Sequence, residues 1–181
     1  LPPDVADGAR ALRRSLGAAA ERLALDLYAQ RTHFLYELLQ NADDCNFAEG
    51  VAPELELALL GSGADDGASP PVLVACSNEE GFSAADVRAI CDVNSSTKAG
   101  RSDATGHKGI GFKACFLASR APTVLSGDFA FGFEFKEGEP LGMVTPRWAD
   151  APRLAALPEA ALERWRAGRT VLCLPLETHE V

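Results

Sequence analysis

Phe129, Phe131, Phe133 and Phe135 alternate with Ala130, Gly132 and Glu134. A period of two places all four rings on one side of an extended chain, so residues 129–135 read as a strand with one face in a core. Four aromatic rings in a row need a covering layer, and the rest of the chain supplies amphipathic helices. Residues 5–30 read as a helix on which Leu12, Leu16, Ala19, Leu23 and Leu27 recur at steps of three and four. A second helix is expected over about 33–48, entered through Thr32 as N-cap. Leu55, Leu57 and Leu59 alternate with Glu54, Glu56 and Ala58, a half-buried strand. Residues 61–71 hold Gly, Ser, Asp and Pro and read as a loop. Val72 to Cys76 is unbroken apolar sequence, the mark of a buried strand. Ser83 with Asp86 three residues on reads as a capping box opening a short helix to about Cys91. Residues 94–108 have no apolar period and read as a mobile loop. A helix over 109–119, strands at 123–126 and 171–176 and a helix over 158–167 complete the pattern. Helices first and strands later predict an α+β fold, a two-layer α/β sandwich whose mixed sheet is covered by helices on one face.

The 181 residues suit one domain of ordinary size, taken as 1–181. Charge excludes some partners: 17 basic against 26 acidic residues leave 17 − 26 = −9, which disfavours a non-specific grip on nucleic acid or an anionic membrane. No apolar run approaches the roughly 18–20 residues of a bilayer span. The five cysteines, at 45, 76, 91, 115 and 173, are never closer than 15 residues. That spacing excludes CxxC and zinc-knuckle patterns and fits reduced, mostly buried thiols in an intracellular protein. The chain opens with Leu1 and has no basic n-region or signal-type core, so we expect an excised intracellular domain.

Chemistry concentrates in a few stretches. In HFLYELLQNADDCNF, Glu37, Asn41 and Asp44 are four and three residues apart, and at about 100° per residue they share a stripe. Leu35, Leu38, Leu39 and Ala42 lie beside it and are expected on the core. An Asn oxygen is a hard ligand suited to Mg²⁺. A Glu one turn away is placed to orient or deprotonate a water. The bland alternative is a solvated polar face. Gly106-His107-Lys108-Gly109-Ile110-Gly111-Phe112-Lys113 has GxxGxG spacing, with backbone N–H groups uncovered and two lysines for phosphate; a tight turn before a packed helix explains it equally. GxxxxGK[ST] is absent, so this is not a Walker loop. Ser77-Asn78-Glu79-Glu80-Gly81-Phe82 closes a strand with polar groups that suit a shallow pocket or a plain strand-to-helix turn. Ser96, Thr97 and Lys98 fall in the expected loop, and Thr170 enters the last strand.

In that order the blocks HFLYELLQNADD, SNEEGFSAADVRAICDVNSSTKAG, GHKGIGFKACF, LGMVTPRW and TVLCLPL resemble the GHKL ATPases. These share the Bergerat fold with gyrase B subunits, histidine kinases and heat-shock chaperones. Within them the chain looks most like the NO VEIN-type and sacsin-like modules, over about residues 22–176. The resemblance implies ATP and Mg²⁺ as cofactors. Glu37 then falls on the general base, Asn41 on the Mg²⁺-ligating Asn, and Asp44 on an acidic position supporting the pocket. Gly81 and Phe82 match the end of the DxGxG block that cups adenine. Ser96, Thr97 and Lys98 match the start of the ATP lid. Gly106, Gly109 and Gly111 match the lid's closing glycines, with His107 and Lys108 between them and Lys113 just beyond. Thr170 matches a Thr that helps hold adenine.

Two positions depart from the family pattern. Ser77 stands where the family's Asp accepts the adenine amino group, with Glu79 replacing the next Gly and Asn78 offering an amide in compensation. Arg169 stands where many relatives carry Gly. The implied function is a slow, Mg²⁺-dependent ATPase that switches a larger protein, with ATP or ADP, the parent's other domains and a second copy as partners. The alternative is a non-catalytic nucleotide-binding or protein-interaction module of the same fold. A histidine protein kinase is not expected: of the three histidines, His33 opens a helix, His107 lies in the lid and His179 in the tail.

Overall fold

The structure, a computed structural model, describes residues 6–8, 11–12, 15, 33–61, 70–91, 110–136 and 141–176. Residues 6–8, 11–12 and 15 are helical, in keeping with the expected first helix, whose remainder lies outside the described residues.

Six strands form one sheet: β1 (Leu55–Leu60), β2 (Val72–Ser77), β3 (Thr123–Ser126), β4 (Phe129–Gly132), β5 (Arg147–Trp148) and β6 (Thr170–Pro175). Their order is β1-β2-β6-β3-β4-β5. The helices are α1 (His33–Asp43), α2 (Ala84–Cys91), α3 (Ile110–Lys113), α4 (Ala151–Ala155) and α5 (Glu159–Arg166), and a 3-10 turn at Ala114–Leu117 continues α3.

The expected α+β sandwich is the architecture, with two differences. Every strand pairing among the described residues is antiparallel, so the sheet is not mixed. Helices also lie on both faces. Leu73 and Ala75 of β2, Val124 of β3, Phe129 and Phe131 of β4 and Leu172 and Leu174 of β6 pack with Leu38, Ile90, Phe112 and Phe116 from α1, α2, α3 and the 3-10 turn. The alternate residues Val72, Val74, Cys76, Leu125, Val171 and Cys173 pack with Leu157, Ala161 and Leu162 around α4 and α5. The physical reason is legible in β2 and β6: an unbroken apolar run has no face for water, so each side must be covered.

Local sequence explains the element ends. Ser83 and Asp86 form the expected capping box: Asp86 Oδ2 accepts from Ser83 N at 2.9 Å, and Ser83 Oγ accepts from Asp86 N at 3.3 Å. Asp150 caps α4 by accepting from Arg153 N at 3.0 Å, with Pro in the first turn. Helix α1 stops at Asp43 and not near 48, because Asp43 and Asp44 put negative charge where the helix dipole is already negative and no basic residue stands in the last turn. Strand β4 ends at Gly132, yet the phenylalanine register continues: Phe133 N donates to Pro122 O at 3.0 Å and Phe135 N to Arg120 O at 2.7 Å. Of the apolar residues expected on the core, Leu38 is buried and Leu35 packs against the cluster, but Leu39 is 50% exposed, one helical step past the buried stripe.

Candidate functional site

A cavity of about 170 Å³ opens between α1, α2 and the sheet. Its wall is apolar: Leu38, Ala42, Ala75, Ile90, Val124 and Leu172 among others. Asn41, Ser77, Gly81, Phe82 and Thr170, all expected at a site, line it. The residues come from three parts of the chain, and Ser77 and Thr170, distant in sequence, meet because β2 and β6 are neighbours in which the two are register partners.

Glu37 and Asn41 lie one turn apart on α1, and both approach Gly111, the second residue of α3. A Cβ on Gly111 would collide with Glu37 Oε2 and stand 3.5 Å from Asn41 Oδ1. Glycine is required here for close approach and not for backbone torsion, since its φ is ordinary. Gly81 is required for a different reason: its φ is +92°, a left-handed conformation that turns the chain from β2 into α2. That turn is held by Ser126, whose Oγ accepts from Phe82 N at 2.8 Å and lies 2.6 Å from Thr170 Oγ1.

Glu37 and Gly111 are themselves off the cavity wall, beside Asn41, and three further expected residues stand elsewhere. Asn78 does not line the cavity: its amide donates to Ala52 O at 2.9 Å and accepts from Glu54 N at 2.8 Å, tying β2 to the approach to β1. It is therefore not available to replace a missing carboxylate. Lys113 is buried, and its ammonium donates to Ile90 O and Met143 O, each at 2.6 Å, below the rings of Phe112 and Phe133. It pins α2 to the 141–144 turn and does not line the cavity. Asp44 follows the end of α1 and is off the cavity wall, because the stripe it was to share ends with the helix. Arg169 turns away to pair with Glu54 at 2.6 Å, so it does not crowd the pocket. Ser96, Thr97, Lys98, Gly106, His107, Lys108 and Gly109 lie outside the described residues.

Several lining residues were not singled out from the sequence. Cys45 lies one turn past Asn41, its thiol donating to Asn41 O at 3.0 Å. Asn46 and Asp86, with Glu79 and Glu80 of the expected 77–82 stretch, give the cavity polar and acidic edges, and Glu80 N donates to Asn46 O at 3.0 Å. Asp86 was legible only as a helix cap. Nothing local marks Ser126, which reads as the end of a short strand.

Residues 22–134 match the family model of the Sacsin domain. The chain is also similar to Protein NO VEIN of Arabidopsis thaliana, 42% identical over 131 residues. That alignment takes in 72% of this chain and 4% of the relative, so the chain spans a small part of a much longer protein. The Sacsin match includes α1, β2, α2 and α3, and with them Glu37, Asn41, Ser77, Gly81 and Gly111, while Thr170 lies beyond it. With that match covering more than half of its length, the chain belongs to the Sacsin domain family.

Proposed function

We propose that this domain binds ATP in the manner of the GHKL ATPases, hydrolyses it slowly with Mg²⁺, and acts as a conformational switch in a larger intracellular protein. The observation that carries this reading is the meeting of Glu37 and Gly111 with Asn41, which lines the apolar cavity one helical turn from Glu37.

The residues fit such a ligand. Apolar walls from both sides of the cavity suit a flat heterocycle, and Ser77 and Thr170 offer hydroxyls to its polar edge. Asn41 supplies a neutral, hard oxygen for Mg²⁺. No group of three His, Cys, Asp or Glu side chains able to hold a metal forms among the described residues. The cation would thus draw its remaining ligands from phosphate and water, as Mg²⁺ commonly does. Bound Mg²⁺–ATP supplies the electrophilic phosphorus and neutralises charge as the transfer proceeds. Glu37 accepts a hydrogen bond from a water and orients it, so its work is positioning and charge placement. Lid roles for Ser96, Thr97, Lys98, Gly106, His107, Lys108 and Gly109 rest on the resemblance alone. ATP and ADP, the parent's other domains and a second copy are the partners this reading entails.

A second reading has its own observation. Ser77 replaces a carboxylate with a neutral hydroxyl, and Asn78 is committed to the backbone, which suits a module that keeps the fold without turnover. Calorimetry with a phosphate-release assay decides between them, release of phosphate marking the first reading. ATP is titrated into the chain with Mg²⁺ and with EDTA, beside Asn41→Ala. Mg²⁺-dependent binding that the variant loses is the expected result. A folded chain that binds none of ATP, ADP or GTP is a scaffold for protein partners.

A further inference from the structure

A row of hydroxyls crosses three strands at one end of the cavity, Ser77 and Thr170 on its wall and Ser126 sealed behind them. Ser77 and Thr170 are register partners, and Ser126 lies one step beyond the Leu125–Val171 pair, next to Thr170. By strand alternation all three share the face that carries Ala75, Val124 and Leu172. Ser77 is 7% exposed and Ser126 is sealed at 0%.

Proton directions follow from counting donors. Each hydroxyl has one O–H and two lone pairs. Ser126 Oγ receives the Phe82 N–H at 2.8 Å and lies 2.6 Å from Thr170 Oγ1. Among the described residues Thr170 Oγ1 is the acceptor Ser126 can reach. A sealed donor left unmatched is costly, so Ser126 donates and Thr170 accepts. Thr170 lies on the cavity wall and keeps its own O–H for a ligand. Ser77 Oγ receives the Glu79 N–H at 3.2 Å, which leaves one O–H and one lone pair facing the cavity. Thr170 is therefore a committed donor, whereas Ser77 turns either way.

A purine held with its phosphates at Asn41 and Gly111 presents to the floor the edge opposite its glycosidic nitrogen, which carries the 6-substituent. An acceptor-only carboxylate there would admit an amino group and repel an oxo group. A serine hydroxyl accepts from the first and donates to the second by rotating about one bond. We propose, resting on the nucleotide reading above, that Ser77 makes this site indifferent to the 6-position, so that it takes 6-oxopurine nucleotides about as well as adenosine nucleotides. Thr170 gives its O–H to the N7 lone pair beside the 6-position, an acceptor in both classes of purine, whereas N1 carries a hydrogen in the 6-oxo class.

The test is calorimetry of the 181-residue chain with Mg²⁺ and either ATP or inosine triphosphate, beside Ser77→Asp and Ser77→Ala. Wild-type affinities for the two nucleotides are expected to agree within about tenfold. Ser77→Asp favours ATP by more than about tenfold, because its carboxylate cannot pair with an oxo group, and Ser77→Ala weakens both alike. A wild-type preference for ATP above that ratio overturns the proposal, whether or not the aspartate variant folds. A folded Ser77→Asp chain that keeps the wild-type ratio overturns it as well. Binding of neither nucleotide by the folded wild-type chain overturns the nucleotide reading itself.

Discussion

Gly111 stands so close to the Glu37 carboxylate that a single methyl group would displace it, and the same methyl would lie 3.5 Å from Asn41 Oδ1. The contact joins α1, which carries Glu37 and Asn41, to α3, at the foot of the glycine-rich segment. Gly111→Ala is accordingly expected to push Glu37 out of place while the fold survives, because the carboxylate ends a flexible side chain. ATP turnover should fall by at least about tenfold with little change in melting temperature. Combining it with Glu37→Ala should add almost no further loss, which turnover assays on the single and double variants would reveal.

Glu37→Ala by itself separates binding from chemistry. The variant should bind Mg²⁺–ATP within a few-fold of wild type and lose turnover by about 10²-fold or more. Calorimetry paired with a phosphate-release assay checks both halves, and equal loss of the two would assign Glu37 to binding.

Lys113→Met should destabilise the chain without touching nucleotide affinity directly. The buried ammonium satisfies Ile90 O and Met143 O and sits 5.1 Å from the Phe133 ring centre. Methionine fills similar space but donates nothing, leaving both carbonyls unmatched at a cost of about 2–4 kcal/mol. Urea unfolding would read this as a lower midpoint with unchanged slope.

Arg153 performs a comparable service on the other face. Its Nε donates to Thr123 Oγ1 at 3.0 Å and its Nη2 to Phe133 O at 2.8 Å, over the space that a side chain on Gly132 would occupy. Arg153→Met is expected to lose about 1–3 kcal/mol, measured by the same unfolding curves. Gly132→Ala should be destabilising too, since the methyl and the guanidinium claim one volume.

Burial pushes the Cys115 and Cys173 thiols up to about 12, and raises Cys76 and Cys91 as well. The thiolate is the reactive form, so near pH 8 Cys115 and Cys173 should resist iodoacetamide in the native chain and label fully in urea. Cys45, on the cavity wall, should label natively and be slowed by ATP. Mass spectrometry of the alkylated peptides reports each position.

The phenylalanine alternation, the capping box at Ser83 and the helix bearing Glu37 and Asn41 were legible because each depends on neighbours within a turn or a strand. The same holds for the buried run of β2. That run already implied two covered faces, although the expected fold allowed for one. The short strand β5 and helix α4 were not legible, since elements of two and five residues carry too little periodicity to stand out.

The sequence by itself determined which side chains can do chemistry, and the order and spacing in which they occur. Only tertiary structure decided which of them meet. Thr170 is a plain strand residue until antiparallel pairing sets it beside Ser77, and Ser126 is unremarkable until the next strand brings it to Thr170 and the Gly81 turn. Lys113 and Asn78 suit a phosphate and a base by composition, yet the structure commits one to carbonyls in the core and the other to the backbone at the head of β1. The physical reason is that buried polar groups must find partners, and long-range packing determines which partners lie within reach.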